Sequence, residues 1–83
     1  MIKVYTKYDC VQCDTTKRYL DSNNVEYETI NVEDNPEAYN YIVSLGFKSV
    51  PVVISDTDKW AGFKLDHLRK VVQEYHIEKN KAS

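Results

Sequence analysis

Eighty-three residues, 42% of them hydrophobic, hold one domain and no more. Eleven Lys and Arg against thirteen Asp and Glu leave a net charge of −2, without the basic excess of a general nucleic-acid binder. No apolar run approaches the roughly 18 residues that a membrane helix needs, and two Cys are too few for a disulfide-stapled scaffold.

Ile2, Val4 and Thr6 alternate with Lys3 and Tyr5, the period of a first strand. Over residues 11–21 the period changes. Val11, Thr15 and Tyr19 are spaced by four with Leu20 beside them, which predicts a helix that Ser22-Asn23-Asn24 breaks. Residues 25–32 are β-branched and aromatic and read as a second strand. Asn35-Pro36-Glu37 is a helix start: a capping Asn, a Pro in the first turn and an acid at the positive end. Ala38, Ile42 and Leu45 share a face, as do Tyr39 and Val43, and Gly46 is placed to stop this helix. Residues 50–54 are the most apolar run and predict a central strand. Ser55-Asp56-Thr57-Asp58 is a turn and Lys59-Trp60-Ala61 a short returning strand. Leu65, Leu68, Val71, Val72 and Tyr75 fall on one face of a last helix, with Asp66 its candidate cap.

The order β-α-β-α-β-β-α predicts an α/β fold: a four-stranded mixed sheet with three helices covering both faces. Residues 1–76 form the single domain and 77–83 a polar, fraying tail. Met1-Ile2-Lys3-Val4 passes straight into patterned sequence, so no secretory leader and a cytoplasmic setting are expected.

Both cysteines lie in Cys10-Val11-Gln12-Cys13, between the first strand and the first helix. The first amides of a helix lack internal partners, and its dipole places partial positive charge there. Both effects favour a thiolate at Cys10 and raise its reactive fraction near neutral pH. Cys13, one turn on, is placed to attack a mixed disulfide at Cys10. Cys10 is therefore the candidate nucleophile and Cys13 the resolving thiol. Three inert readings compete: buried structural thiols, a zinc site and a local disulfide. Zinc needs two further ligands, and His67 and His76 are nine apart, outside the usual spacing, reading instead as surface histidines. A reducing cytoplasm disfavours an inert disulfide. Lys7 adds positive charge three positions before Cys10 or is simply solvated, while Asp9 and Asp14 oppose it. Pro51 implies either an irregular strand start or a cis peptide. Trp60 reads equally as core.

Cys10-Val11-Gln12-Cys13, Ser49-Val50-Pro51-Val52-Val53 and Trp60-Ala61-Gly62-Phe63, in that order, resemble the NrdH-type redoxins, glutaredoxin-like members of the thioredoxin superfamily. The resemblance covers residues 1–75 and implies a thioredoxin/glutaredoxin-like fold. It further implies a cis Val50–Pro51 bond facing the cysteines, and a partner-contacting surface of Lys7, Val11, Gln12, Val50, Pro51, Trp60, Ala61, Gly62 and Phe63. Members of that family take electrons from thioredoxin reductase, itself fed by NADPH, and reduce the large subunit of class Ib ribonucleotide reductase. A monomer is expected, with no metal and no other cofactor, and with neither nucleic acid nor membrane as partner.

The family's loop usually reads Trp-Ser-Gly-Phe-Arg-Pro-Asp. Here Ala61 removes a hydroxyl, Lys64 replaces an Arg and Leu65 the helix-start Pro, changes that bear on loop rigidity. Glutathione-binding relatives carry Gly-Gly-x-Asp after the proline strand, whereas Gly62 is followed by Phe63. The sequence thus leans away from a glutathione-dependent glutaredoxin, the first alternative. A non-catalytic adaptor, whose Cys pair holds metal or a partner, is the second.

Overall fold

Strand β1 (Ile2–Thr6) alternates its side chains so that Val4 and Tyr5 point into different cores, and the rest of the chain assembles on either side of it. A computed structural model describes residues 1–82, with side-chain surroundings through residue 80. The elements follow in the expected order: α1 (Val11–Ser22), β2 (Tyr27–Asn31), α2 (Pro36–Ser44), β3 (Val52–Ile54), β4 (Lys59–Ala61) and α3 (Leu65–Ala82). The sheet order is β2-β1-β3-β4. β1 runs parallel to β2, with Val4 opposite Thr29, and antiparallel to β3, with Val4 opposite Val53. β3 and β4 form the hairpin, Val53 facing Trp60.

One core joins Leu20 of α1 and Leu68 and Val71 of α3 to Ile2, Val4, Val53 and Trp60. The other joins Ile42 of α2 to Tyr5, Val32 and Val52. Helices therefore cover both faces of a four-stranded mixed sheet, two on one side and one on the other.

Helix α2 is bounded by local chemistry. The Asn35 side chain accepts the Ala38 amide at 3.1 Å, and Pro36 takes the first helical position. At the other end Gly46, at φ +93°, donates to the Val43 carbonyl, and Phe47 donates to that of Ile42. This paired closure requires a left-handed residue, which glycine adopts without steric cost.

Four expectations change. The buried stripe of α1 is Cys13, Thr16 and Leu20, while Val11 is 79% exposed. Thr16 can be buried because its hydroxyl donates to the Gln12 carbonyl at 2.9 Å. The two strands read as residues 25–32 and 50–54 are shorter, Tyr27–Asn31 and Val52–Ile54. Asp66 lies inside the first turn of α3 rather than capping it, where its charge still opposes the positive end. Residues read as the start of a polar tail continue α3 as far as Ala82, and the Lys79 ammonium sits 5.6 Å over the Tyr75 ring one turn back. Ser83 lies outside the described residues.

Candidate active site

Cys10 occupies the N-cap of α1, with extended backbone dihedrals, and its carbonyl accepts the Asp14 amide at 3.1 Å. The Cys13 amide donates to the Cys10 sulfur at 3.2 Å, so one of the unpaired donors of the helix start is aimed at that sulfur. The two cysteines are disulfide-bonded, with Cα atoms 5.2 Å apart. Their accessibility differs: Cys10 is 9% exposed and Cys13 not at all. A thiol exchange partner therefore reaches Cys10 first.

The segment before Cys10 is held in place from the side. Asp9 has φ +53°, a left-handed turn that Asp tolerates and that swings the chain from β1 onto the helix start. The Tyr8 amide donates to the Glu33 carboxylate at 2.7 Å, and its phenol donates to Asp34 at 2.5 Å. That hydrogen bond to Asp34 is the main reason the Tyr8 hydroxyl titrates above its ordinary value.

Val50–Pro51 is a cis peptide, which settles the choice left open at Pro51. The Pro51 carbonyl accepts the Gly62 amide at 2.7 Å, tying the proline turn to the end of β4. Gly62 has φ +90°, and a Cβ there would meet the Gln12 side-chain oxygen at 3.9 Å. Gln12, Pro51 and Gly62 are thus neighbours through these contacts. Phe63, the next residue, is 37% exposed.

Lys7 and Val50 line an open groove of about 330 Å³ elsewhere, between α2, the residues just after β1 and β2, and the chain leading to the cis proline. Its walls include Tyr39, Val43, Phe47 and Lys48. Sequence reasoning assigned Tyr39 and Val43 to a second apolar stripe of α2 and gave them no role. Both are about half exposed, and a stripe beyond what one core face can bury was the available signal. Tyr8 gave no such signal, since its partners lie on a loop 25 residues away.

Trp60 is core. It is 3% exposed, packs with Leu68 and Val71, and stacks on His67 with ring centroids 4.9 Å apart. Little of its side chain reaches the surface, and Ala61 beside it is half-buried in β4. Nor are the histidines free surface groups. His67 pairs with Asp58 at 2.7 Å, and the His76 Nε2–H donates to the Asn23 carbonyl at 2.7 Å.

A thioredoxin-like fold that carries Cys-x-x-Cys at the start of its first helix, with a cis-proline turn nearby, defines a thiol-disulfide oxidoreductase. Comparison with known proteins narrows the class. The Glutaredoxin family model matches residues 2–60. The glutaredoxin-like protein NrdH of Escherichia coli is 40% identical over 70 residues, covering 84% of this chain and 86% of that protein. Its Lactococcus lactis counterpart is 31% identical over 71 residues, covering 86% and 99%. The solved structure of Escherichia coli NrdH-redoxin, described as having a thioredoxin-like activity profile, superposes with a TM-score of 0.81 at 40% identity over 83% of this chain and 91% of that one. The chain belongs to the glutaredoxin family, among its NrdH-type redoxins.

Proposed function

We propose that this redoxin donates electrons to the large subunit of class Ib ribonucleotide reductase and is itself recycled by thioredoxin reductase and NADPH, acting as a monomer in the cytoplasm. The observation that carries the reading is the 40% identity to NrdH-redoxin over nearly the whole fold, together with the thioredoxin-like activity profile described for that relative. Phe63 after Gly62, where glutathione-binding relatives have a second glycine, supports the same choice of reductant.

The chemistry follows from accessibility. In the reduced form, the Cys10 thiolate attacks one sulfur of the target disulfide. That bond breaks, a target thiolate leaves, and a mixed disulfide joins Cys10 to the target. Cys13, buried beneath it, then attacks the Cys10 sulfur and releases the second target thiolate. Two electrons have passed to the target, and the Cys10–Cys13 disulfide is left for the reductase to reduce. The Cys13 amide, aimed at the Cys10 sulfur, stabilises the negative charge of the Cys10 thiolate that makes the first attack. Lys7, Val11, Gln12, Val50, Ala61, Gly62 and Phe63 form the contact surface in this reading; the buried Pro51 and Trp60 side chains support it from beneath.

Glutathione is the second reading, favoured by the two lysines, Lys7 and Lys48, beside Val50 in the groove, where they suit a carboxylate-bearing peptide. Purified protein is mixed with NADPH and thioredoxin reductase, or with NADPH, glutathione and glutathione reductase, and turnover of a disulfide substrate is followed. Turnover is expected with thioredoxin reductase. Turnover with glutathione alone would reverse the choice of reductant.

A further inference from the structure

His67 belongs to none of the machinery above, yet three elements converge on it. Its Nδ1 pairs with the Asp58 carboxylate at 2.7 Å, and its ring stacks on Trp60 at 4.9 Å and 27°. Asp58 is fixed in turn: its other oxygen accepts the Lys59 amide at 2.8 Å, and its carbonyl accepts the Ser55 amide at 2.8 Å. The hairpin turn, the β4 tryptophan and the first turn of α3 are therefore locked together by one imidazole.

That lock spans the segment 62–64. Trp60 precedes it and His67 follows it, so stacking the two rings closes the ends of the segment on each other. Inside it, Gly62 donates to the Pro51 carbonyl and lies against Gln12, and Phe63 is partly exposed. A shift of α3 relative to β4 would move these residues against the cysteine helix. The groups facing His67 are Asp58 and Thr57 of the turn, Asp66 and Lys70 of α3, and the Trp60 ring. Thr57 is engaged by Glu74 at 3.0 Å, and Lys70 is the opposing positive charge.

We propose that His67, held by Asp58 and stacked on Trp60, is a positioning residue that sets the 62–64 segment beside the cysteine helix and tightens docking of peptide disulfides when its imidazole is protonated. Protonation converts the hydrogen bond from a neutral imidazole to the Asp58 carboxylate into an ion pair. The His67 contact already holds the Asp58 carboxyl below its ordinary range, so the carboxylate is present throughout the range in which histidines titrate. Both side chains retain some solvent exposure, 41% for His67 and 21% for Asp58, so protons exchange without unfolding and the effect is modest.

The test needs no reductase, so it stands or falls apart from the choice of partner. Protein pre-reduced with dithiothreitol and desalted is reacted in single turnover with two uncharged probes: bis(2-hydroxyethyl) disulfide, and a blocked cyclic peptide disulfide lacking His, Asp and Glu. The thiolate fraction affects both rates alike, so the ratio of peptide to small-probe rate constants isolates docking. The ratio is expected to rise about threefold from pH 8 to pH 5.5, the size of a partly exposed ion pair. In Asp58→Asn and His67→Phe it should stay flat at the high-pH value, while the small-probe rate, which reports intact folding and chemistry, matches the wild type. His67→Phe keeps a ring over Trp60, so loss of stacking does not mimic loss of the charge. A ratio independent of pH in the wild type, or one that still rises in both variants, overturns the proposal.

Discussion

On one face of the sheet, α1 and α3 bury Leu20, Leu68 and Val71 against Ile2, Val4, Val53 and Trp60; on the other, α2 alone sets Ile42 against Tyr5, Val32 and Val52. The first face is closed by two helices that also touch each other. The second leaves Tyr39 and Val43 half exposed along a groove that reaches Val50, next to the cis proline. Such a small chain has few large side chains to distribute. Concentrating them under α1 and α3 stabilises the cysteine helix, and the thinner α2 side leaves apolar surface exposed along the groove.

The most severe break of this comparison is at the junction of the two faces. Cys10→Ser should abolish disulfide turnover, and Cys13→Ser should leave a mixed disulfide with the target, detected by mass spectrometry. The opposite pattern would exchange the two roles. Within the closed face, Leu68→Ala should cost about 3 kcal/mol in urea denaturation, because the side chain is fully buried and the site cannot collapse freely. On the open face, Asn35→Ala should cost about 1 kcal/mol by the same measurement, through loss of the cap on Ala38.

A pH dependence distinguishes the faces further. Burial, then the hydrogen bond to Asp21, pushes the Tyr27 phenol up to about 12 from its ordinary 10.0. The folded state thus holds this proton more tightly than the unfolded one. Its contribution is complete below pH 10 and is lost as pH rises toward 12. The fall in urea midpoint between pH 8 and about pH 11.5 should be shallower in Tyr27→Phe. The smallest effect belongs to Val43→Ala, expected to change stability by less than about 0.5 kcal/mol while raising KM for a protein disulfide. A larger stability loss there would mean that the open face is core after all.

Order and type of the elements were legible because their signals are local. The alternation in β1, the Asn35-Pro36 start and the Gly46 stop of α2 need no distant partner to be read. The buried stripe of α1 was not legible, because Thr16 counts as polar until its hydroxyl is seen to be satisfied one turn back. The continuation of α3 past Tyr75 was missed for a related reason. Its apolar period ends there, but a helix needs backbone hydrogen bonds rather than apolar residues to continue.

At the site, the sequence by itself determined the reactive pair, since three-residue spacing at a strand-to-helix junction places both sulfurs at the same helix start whatever surrounds them. It also selected the family, because the cysteine, proline and tryptophan blocks are each contiguous. Only the tertiary structure decided that Trp60 is buried, that Tyr8 is clipped to Glu33 and Asp34, and that His67 closes on Asp58. Each of these depends on how separate elements meet, across 25 residues for Tyr8 and Glu33 and nine for His67 and Asp58. Such contacts depend on which faces of neighbouring elements meet, and one sequence specifies that through the whole packed molecule rather than through any motif.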